Sequence, residues 1–389
     1  MKYYLMNKDQ KVIDFETEEH FGVSEIVDER FLAGALPIGF VDMGTWVEQR
    51  NYAKHKEHMK KWLAEWGIDN IDGFLQITHA LGLNDTFWVR EYDSDLTWDK
   101  VNLYYNDFSD VACKTAFETG LFGLQLSTTS PEFTTDGTFP KCWIKKDGEI
   151  YILKQGLSGA SNVGLEPNCE FSSSIIGKSI FDNVIDYGLI EYKGKLCSIC
   201  KLFTSENIGY VPFGKTVDLN KNYTIPSLIR YFEDYDEKNN TCMCKKFKTM
   251  IVLDSIIFNC DRHLNNFGYL FDTESMEILD FAPYFDFNFS FLSSLTDEDL
   301  KNYRESLVKY DLGHKLGGSF DKVGAEILTS DIKDKLPSNI SVPVHPHYNF
   351  SKERIALLND ILMDNFSHIK RNDHLSMEIL RNPIHKRSK

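Results

Sequence analysis

Two hydrophobic periods divide the chain. From Leu121 to about residue 224 apolar and polar residues alternate in short runs broken by turn pairs, which predicts strands; from Ile225 onward the apolar positions recur every three to four residues, which predicts helices. In CWIKKDGEIYILKQG two alternating runs flank Asp147-Gly148, residues that tolerate the positive φ of a tight hairpin, and the second run ends at Lys154. EPNCEFSSSIIGKSIF predicts a helix of about four turns, with Glu166 as cap, Pro167 in the first turn and Phe171, Ile175, Ile176 and Ile180 as its apolar face. YGLIEYKGKLCSICKLF predicts a second hairpin around Lys193-Gly194.

In the helical part, CKKFKTMIVLDSIIFN sets Phe247, Met250, Ile251, Ile257 and Phe258 at helical spacing, so a mostly buried helix should lead straight into the polar stretch NCDRHLNNFG. The runs FGYLF and MEILDF then predict a hairpin that delivers the chain to APYFDFN, and SKERIALLNDILMDNFSHIKRN predicts an amphipathic helix opening at Ser351. Before residue 120 the apolar runs are short, apart from Trp46 to Gly67, where Trp62, Leu63 and Trp66 face a Lys- and Glu-rich side and Gly67 ends the predicted helix. The expected organisation is a subdomain over 1–120, a β-rich section over 121–224 and a helical section over 225–389, an α+β fold.

Length and composition bound what such a chain does. With 389 residues, 42% hydrophobic and 26% charged, two or three packed units with room for a cleft are expected. A formal charge of −15 argues against a broad basic surface, so neither nucleic acid nor an anionic membrane is an expected partner. The opening MKYYLMNKDQKVIDFETEEHFG is interrupted by charges unlike a signal peptide, and no run of about 18 apolar residues occurs, so a cytoplasmic location is expected. Cys197/Cys200 and Cys242/Cys244 suggest a zinc site by spacing, but KLCSICKLF alternates like a strand and points its two thiols to opposite faces; buried reduced thiols are expected instead.

Two stretches carry candidate phosphate chemistry. GYVPFGKT, Gly209 to Thr216, matches the phosphate-loop pattern G-x-x-x-x-G-K-[ST], yet VDLNKNYTIP after it carries Asn220, Asn222 and Pro226 instead of the amphipathic helix whose N-terminus would receive phosphate. It is read as a turn with a solvated Lys215. A strand-rich section followed by a helical one, with a lysine at a strand end and a glutamate in the next helix, is the order of parts in a protein kinase. Phosphoryl transfer there needs a catalytic Asp and, five residues on, an Asn that binds Mg²⁺; DRHLNN sets Asp261 and Asn266 at that interval. A further metal-binding carboxylate is required, and Asp280 and Asp286 are both candidates by position.

NCDRHLNNFG followed by APYFDFN resembles the N-x-D-x-H-x-x-N-F and P-x-Y-D signatures of HipA-like serine/threonine kinases, whose fold is related to that of phosphatidylinositol kinases. The resemblance implies a bilobal protein-kinase-like fold with an extra N-terminal α/β subdomain. It selects Asp286 and implies Asp261 as catalytic Asp, Asn266 and Asp286 as Mg²⁺ ligands, and Asn259 and His263 as residues that brace the loop or orient Asp261, His263 thereby counting with the catalytic group. Upstream, TTDGTFPK is similar to that family's phosphate-covering loop, with Gly137, Pro140 and Lys141 in frame, Thr138 beside them and Asp136 where the family's phosphorylated Ser is usual. Lys154 then resembles the ATP lysine and Glu170 its partner, with Glu166 as the alternative.

What the resemblance implies is an ATP- and Mg²⁺-dependent kinase acting on protein Ser or Thr, with autophosphorylation and an antitoxin-like partner as in toxin–antitoxin pairs. Two alternatives stand beside it: phosphorylation of a lipid or other small molecule, since D-R-H-x-x-N is shared with such kinases, and a catalytically inactive ATP-binding module.

Overall fold

The computed structural model describes residues 1–21, 23–50, 70–108, 141–157 and 164–371. The architecture is mixed α/β, with three sheets of antiparallel strands and a set of helices, and the described chain divides into two compact units. Described parts of Met1–Gln155, Ile190–Val217 and Gly268–Ala282 make the first; Gly156–Leu189, Asp218–Phe267 and the chain from Pro283 onward make the second.

In the first unit, β1 (Lys2–Asn7) lies between β2 (Gln10–His20) and β4 (Phe87–Glu91), with β3 (Val23–Phe31) outside β2. Side chains alternate across this sheet, and both faces are covered. Tyr3 and Leu5 join a core with Met43, Trp46 and Val47 of α1 (Met43–Arg50) and Phe74 and Leu75 of α2 (Ile71–Thr78). Tyr4 and Met6 join Trp88, Leu103 and Trp98, which opens the short α3 (Trp98–Val101). A strand buried on both sides reads as a continuous apolar run without alternation, which is why KYYLMN gave no strand signal. Of the helix predicted from Trp46, α1 supplies the start; residues 51–69, and with them Trp62, Leu63, Trp66 and Gly67, lie outside the described residues.

All three predicted hairpins form. β5 (Lys141–Lys146), β6 (Glu149–Gln155), β7 (Tyr187–Tyr192) and β8 (Lys195–Lys201) make a sheet in the order β5-β6-β8-β7. At the turns Asp147 and Gly148 take φ of 52° and 79°, and Lys193 and Gly194 take 49° and 72°, the two successive positive values that match a tight hairpin to strand twist. The third sheet joins β9 (Ile208–Pro212), β10 (Gly268–Asp272) and β11 (Ile278–Phe281) in the order β11-β10-β9.

GYVPFGKT runs through the end of β9 into a single 3₁₀ turn, Phe213–Lys215, and the next helix starts only at Ile225. Its first glycine answers to packing: a Cβ on Gly209 would stand 2.3 Å from the ring of Phe271 on β10. Lys215 departs from expectation, being half-buried instead of solvated.

The second unit is built around α6 (Met243–Ile257), described below after α4 (Glu166–Ile180) and α5 (Ile225–Asn239). α4 corrects two expectations. Glu166 is its first residue and Leu165 holds the cap position; the Glu166 carboxylate instead accepts the Leu157 N–H at 3.2 Å. The buried side runs through Cys169, Glu170, Ser172, Ser173, Ser174 and Ile176, whereas Ile175 is 40% exposed. Small residues let this helix lie close to its neighbours, and Ser174 uses its hydroxyl on the Ile185 carbonyl at 2.6 Å. Thr224 and Ser227 cap α5 reciprocally.

α6 is apolar nearly all round because it is enclosed, with Met250, Ile251, Val252, Leu253, Ile256 and Ile257 fully buried. It is packed by α5, by α9 (Phe320–Ile327) and by α11 (Lys352–Arg371). Asn365 of α11 donates to the Ser255 carbonyl at 2.9 Å, and Ser351 caps α11 by accepting the Arg354 N–H at 3.0 Å. The shorter α7 (Asp297–Lys301), α8 (Tyr303–Lys309) and α10 (Ser330–Lys333) complete the unit. No helix among the described residues is long and apolar enough to cross a membrane.

Candidate active site

The end of α6 decides where the candidate catalytic loop begins. Phe258 takes the left-handed conformation, φ 57°, which glycine or asparagine usually supplies; its ring is held between Tyr303 and Phe320, contacts that over-determine an unfavourable backbone. The Asp254 carbonyl accepts from both Phe258 and Asn259, closing the helix and turning the chain into Asn259–Asn266.

A buried carboxylate then organises that loop. Asp254, fully buried on α6, binds Arg262 at two points: Nε to Oδ2 at 2.8 Å and Nη2 to Oδ1 at 3.0 Å. The remaining nitrogen, Nη1, donates to the carbonyls of Asn266 at 2.5 Å and Phe285 at 2.6 Å, and the guanidinium lies 5.3 Å from the centre of the Phe287 ring. Asn259 donates to Asp254 Oδ1 at 2.9 Å and to the Asp286 carbonyl at 3.4 Å. One ion pair thus ties NCDRHLNN to PYFDFN, the two stretches singled out in the sequence. Arginine suits this place, because a planar fork satisfies a carboxylate and two carbonyls together.

Asp261, Asn266 and Asp286 are brought together in the second unit. Asn266, buried, donates its side-chain amide to the Asp261 carbonyl at 3.0 Å, and its own N–H goes to the His263 carbonyl at 2.9 Å. His263 Nδ1 accepts the Asn265 N–H at 3.2 Å, so the imidazole braces the turn. Asp286 adopts φ 61° and its N–H donates to the Tyr187 hydroxyl at 3.3 Å; the preceding Tyr284 is fixed by a bridge to Val184 and by its hydroxyl on the Lys246 carbonyl at 2.8 Å. Burial pushes the Asp261 carboxyl above the ordinary range; the charges of His263 and Lys315 pull it down, that of Asp286 pushes it up, and that of Arg262 pulls it down.

The other sequence candidates are found in both units. Asp280 sits in β11 in the first unit, where it pairs with Leu270 across the sheet and accepts the N–H of Phe281 at 2.7 Å. Lys154 is the penultimate residue of β6 in the first unit, and Glu170 lies buried in α4 of the second. Gly137 and Thr138, with the rest of the proposed phosphate-covering loop through Pro140, lie outside the described residues. Asp254 and Lys315 were not singled out from the sequence. A lone carboxylate inside MIVLDSII is the signal that marks Asp254, since a fully buried Asp demands a partner; Lys315, 54 positions from Asp261 in the chain, has none.

No family model matches the sequence, and no curated protein does. The solved structures that match include two kinase-related ones. The crystal structure of the Helicobacter pylori proinflammatory kinase CtkA shares 18% identity at a TM-score of 0.43, over 61% of this chain and 91% of that one. HipA of Shewanella oneidensis, solved in its toxin–antitoxin complex with HipB and operator DNA, shares 11% identity at a TM-score of 0.49, over 95% of this chain and 97% of that one.

Proposed function

We propose that the chain is an ATP- and Mg²⁺-dependent kinase that transfers the γ-phosphate to Ser or Thr of a protein. The observation that carries this reading is the clamp of Asp254, Arg262 and Asn259, which holds Asp261, Asn266 and Asp286 in one small polar region of the second unit. The donor set fits a hard cation. With its amide nitrogen committed to the Asp261 carbonyl, Asn266 offers Oδ1, and Asp286 adds a carboxylate, the oxygen ligands Mg²⁺ prefers alongside phosphate and water. When bound, Mg²⁺ neutralises charge on the phosphates.

In this reading Asp261 accepts the proton of the acceptor hydroxyl as that oxygen attacks the γ-phosphorus and the bond to the bridging oxygen of ADP breaks. Its raised proton affinity makes it a better base than an exposed aspartate. The resemblance to HipA-like kinases assigns Lys154 to the ATP phosphates. The resemblance to HipA-like kinases supports a protein acceptor and an antitoxin-like partner. Incubation with γ-labelled ATP and separate protein and lipid extracts tests the acceptor class: label should enter the protein fraction, and label confined to lipid overturns the assignment.

A further inference from the structure

Between α8 and α9 the chain makes a small closed loop, Gly313–Gly318, whose construction exceeds what a connection needs. The His314 carbonyl accepts the Gly317 N–H at 2.8 Å and its N–H donates to the Gly318 carbonyl at 2.9 Å, so Lys315 sits at the bend of a tight turn. Gly317 takes φ 96°, a conformation closed to most side chains. His314 is buried, its Nε2 2.9 Å from the Ser255 hydroxyl on α6, with its ring 4.9 Å from that of Phe320. The Leu316 carbonyl accepts from Ile225 at the start of α5 at 3.3 Å. The backbone is thereby fixed to three helices on either side of one long, flexible, charged side chain.

That side chain ends 3.9 Å from Asp261: Lys315 Nζ faces Oδ1, with 60% of the lysine side chain exposed. An ion pair so open to solvent contributes about 0–1 kcal/mol to stability, which does not account for the anchoring. Three groups lower the proton affinity of Asp261: His263, Lys315 and Arg262. Arg262 is buried and taken up by Asp254 and two carbonyls, and His263 holds the turn through Asn265. Lys315 alone of the three joins a full charge to a mobile stem, which suits it to follow charge that moves.

We propose that Lys315 is a catalytic residue of the phosphoryl transfer: its ammonium rests beside Asp261 before the acceptor binds and contacts the oxygens of the phosphoryl group in transit. This rests on the kinase reading above. The acceptor oxygen forms the new bond to phosphorus, the bond from phosphorus to the ADP oxygen breaks, and the acceptor proton goes to Asp261; Lys315 exchanges no proton and offsets negative charge on the moving group. Since a lysine is a point charge, arginine should serve in part.

The test compares full-length wild type, Lys315→Met and Lys315→Arg in label transfer from γ-labelled ATP to the protein itself and to a Ser-rich acceptor, with Mg²⁺ present. Binding of ADP with aluminium fluoride, which mimics the phosphoryl group in flight, is measured beside binding of ADP alone. The methionine variant should lose roughly 10- to 100-fold in kcat with KM for ATP little changed, lose ADP–aluminium fluoride affinity while keeping that for ADP, and be partly rescued by arginine. An active wild type with an equally active Lys315→Met variant overturns the role of Lys315 and leaves the kinase reading standing. A wild type that transfers no label overturns both.

Discussion

Arg262 and Asp254 form a two-point ion pair, 2.8 and 3.0 Å, with both side chains almost fully excluded from water. Removing one partner of such a pair strands the other charge in the interior, at a cost of about 3–5 kcal/mol. Asp254→Asn and Arg262→Met should each destabilise the second unit by that amount, and the double variant by less than the two losses added. Urea denaturation checks this; single-variant losses under about 1 kcal/mol, the range of ordinary surface changes, would show that the pair is not what holds the loop.

His314 gives the unit an acid sensitivity of defined sign. Burial holds its imidazole down to about 4, with Asp254 pulling up and Arg262 down. The unfolded chain takes up the proton near 6.5, so over the window between about 6.5 and 4 the unfolded state binds more protons and stability falls as pH falls. From pH 7 to pH 5 this one group should cost roughly 2 kcal/mol. Denaturation curves of wild type and His314→Gln should differ in pH slope over that interval; parallel slopes contradict the assignment.

Asp286 and Asp280 should part company on mutation. Asn259 and Arg262 tie the Asp286 segment to the loop of Asp261 and Asn266, while Asp280 is paired with Leu270 inside a strand and accepts the Phe281 N–H. Asp286→Asn should reduce ATP-dependent label transfer at least 1,000-fold, on the order seen when charge-stabilising groups are removed from such sites, and Asp280→Asn should leave it within about threefold. The reverse pattern, read in the same assay, returns Asp280 to the role.

The two lysines of opposite promise supply a further comparison. Lys215→Ala should not change the affinity for Mg·ATP, because the turn that carries it leads to no helix N-terminus. Lys154→Met should weaken that affinity at least tenfold. Calorimetric titration with a non-hydrolysable ATP analogue measures both, and a loss confined to Lys215→Ala would make GYVPFGKT the nucleotide site after all.

What the sequence disclosed follows from how local each signal is. Asp147-Gly148 and Lys193-Gly194 set their hairpins by backbone preference alone, and the enclosed α6 announced itself by apolar residues at helical spacing. β1 hid its alternation because both faces are covered, and the buried side of α4 was read only in part, because serines as well as Ile176 and Ile180 line it. Within the site, the interval between Asp261 and Asn266 was legible because one loop carries both. The pairing of Asp254 with Arg262 needed the turn at Phe258, a left-handed phenylalanine that no propensity predicts, and the meeting of Lys315 with Asp261 is a property of the fold.

In the proposed kinase, transfer of phosphate from ATP requires both Asp261 and Mg²⁺. Purified wild type and Asp261→Asn, the latter shown by circular dichroism and denaturation to be folded, are incubated with γ-labelled ATP and protein acceptors, with Mg²⁺ and with EDTA. Label should enter protein for wild type with Mg²⁺ only, and not for Asp261→Asn; undiminished transfer by Asp261→Asn, or transfer by wild type in EDTA, would overturn the kinase reading.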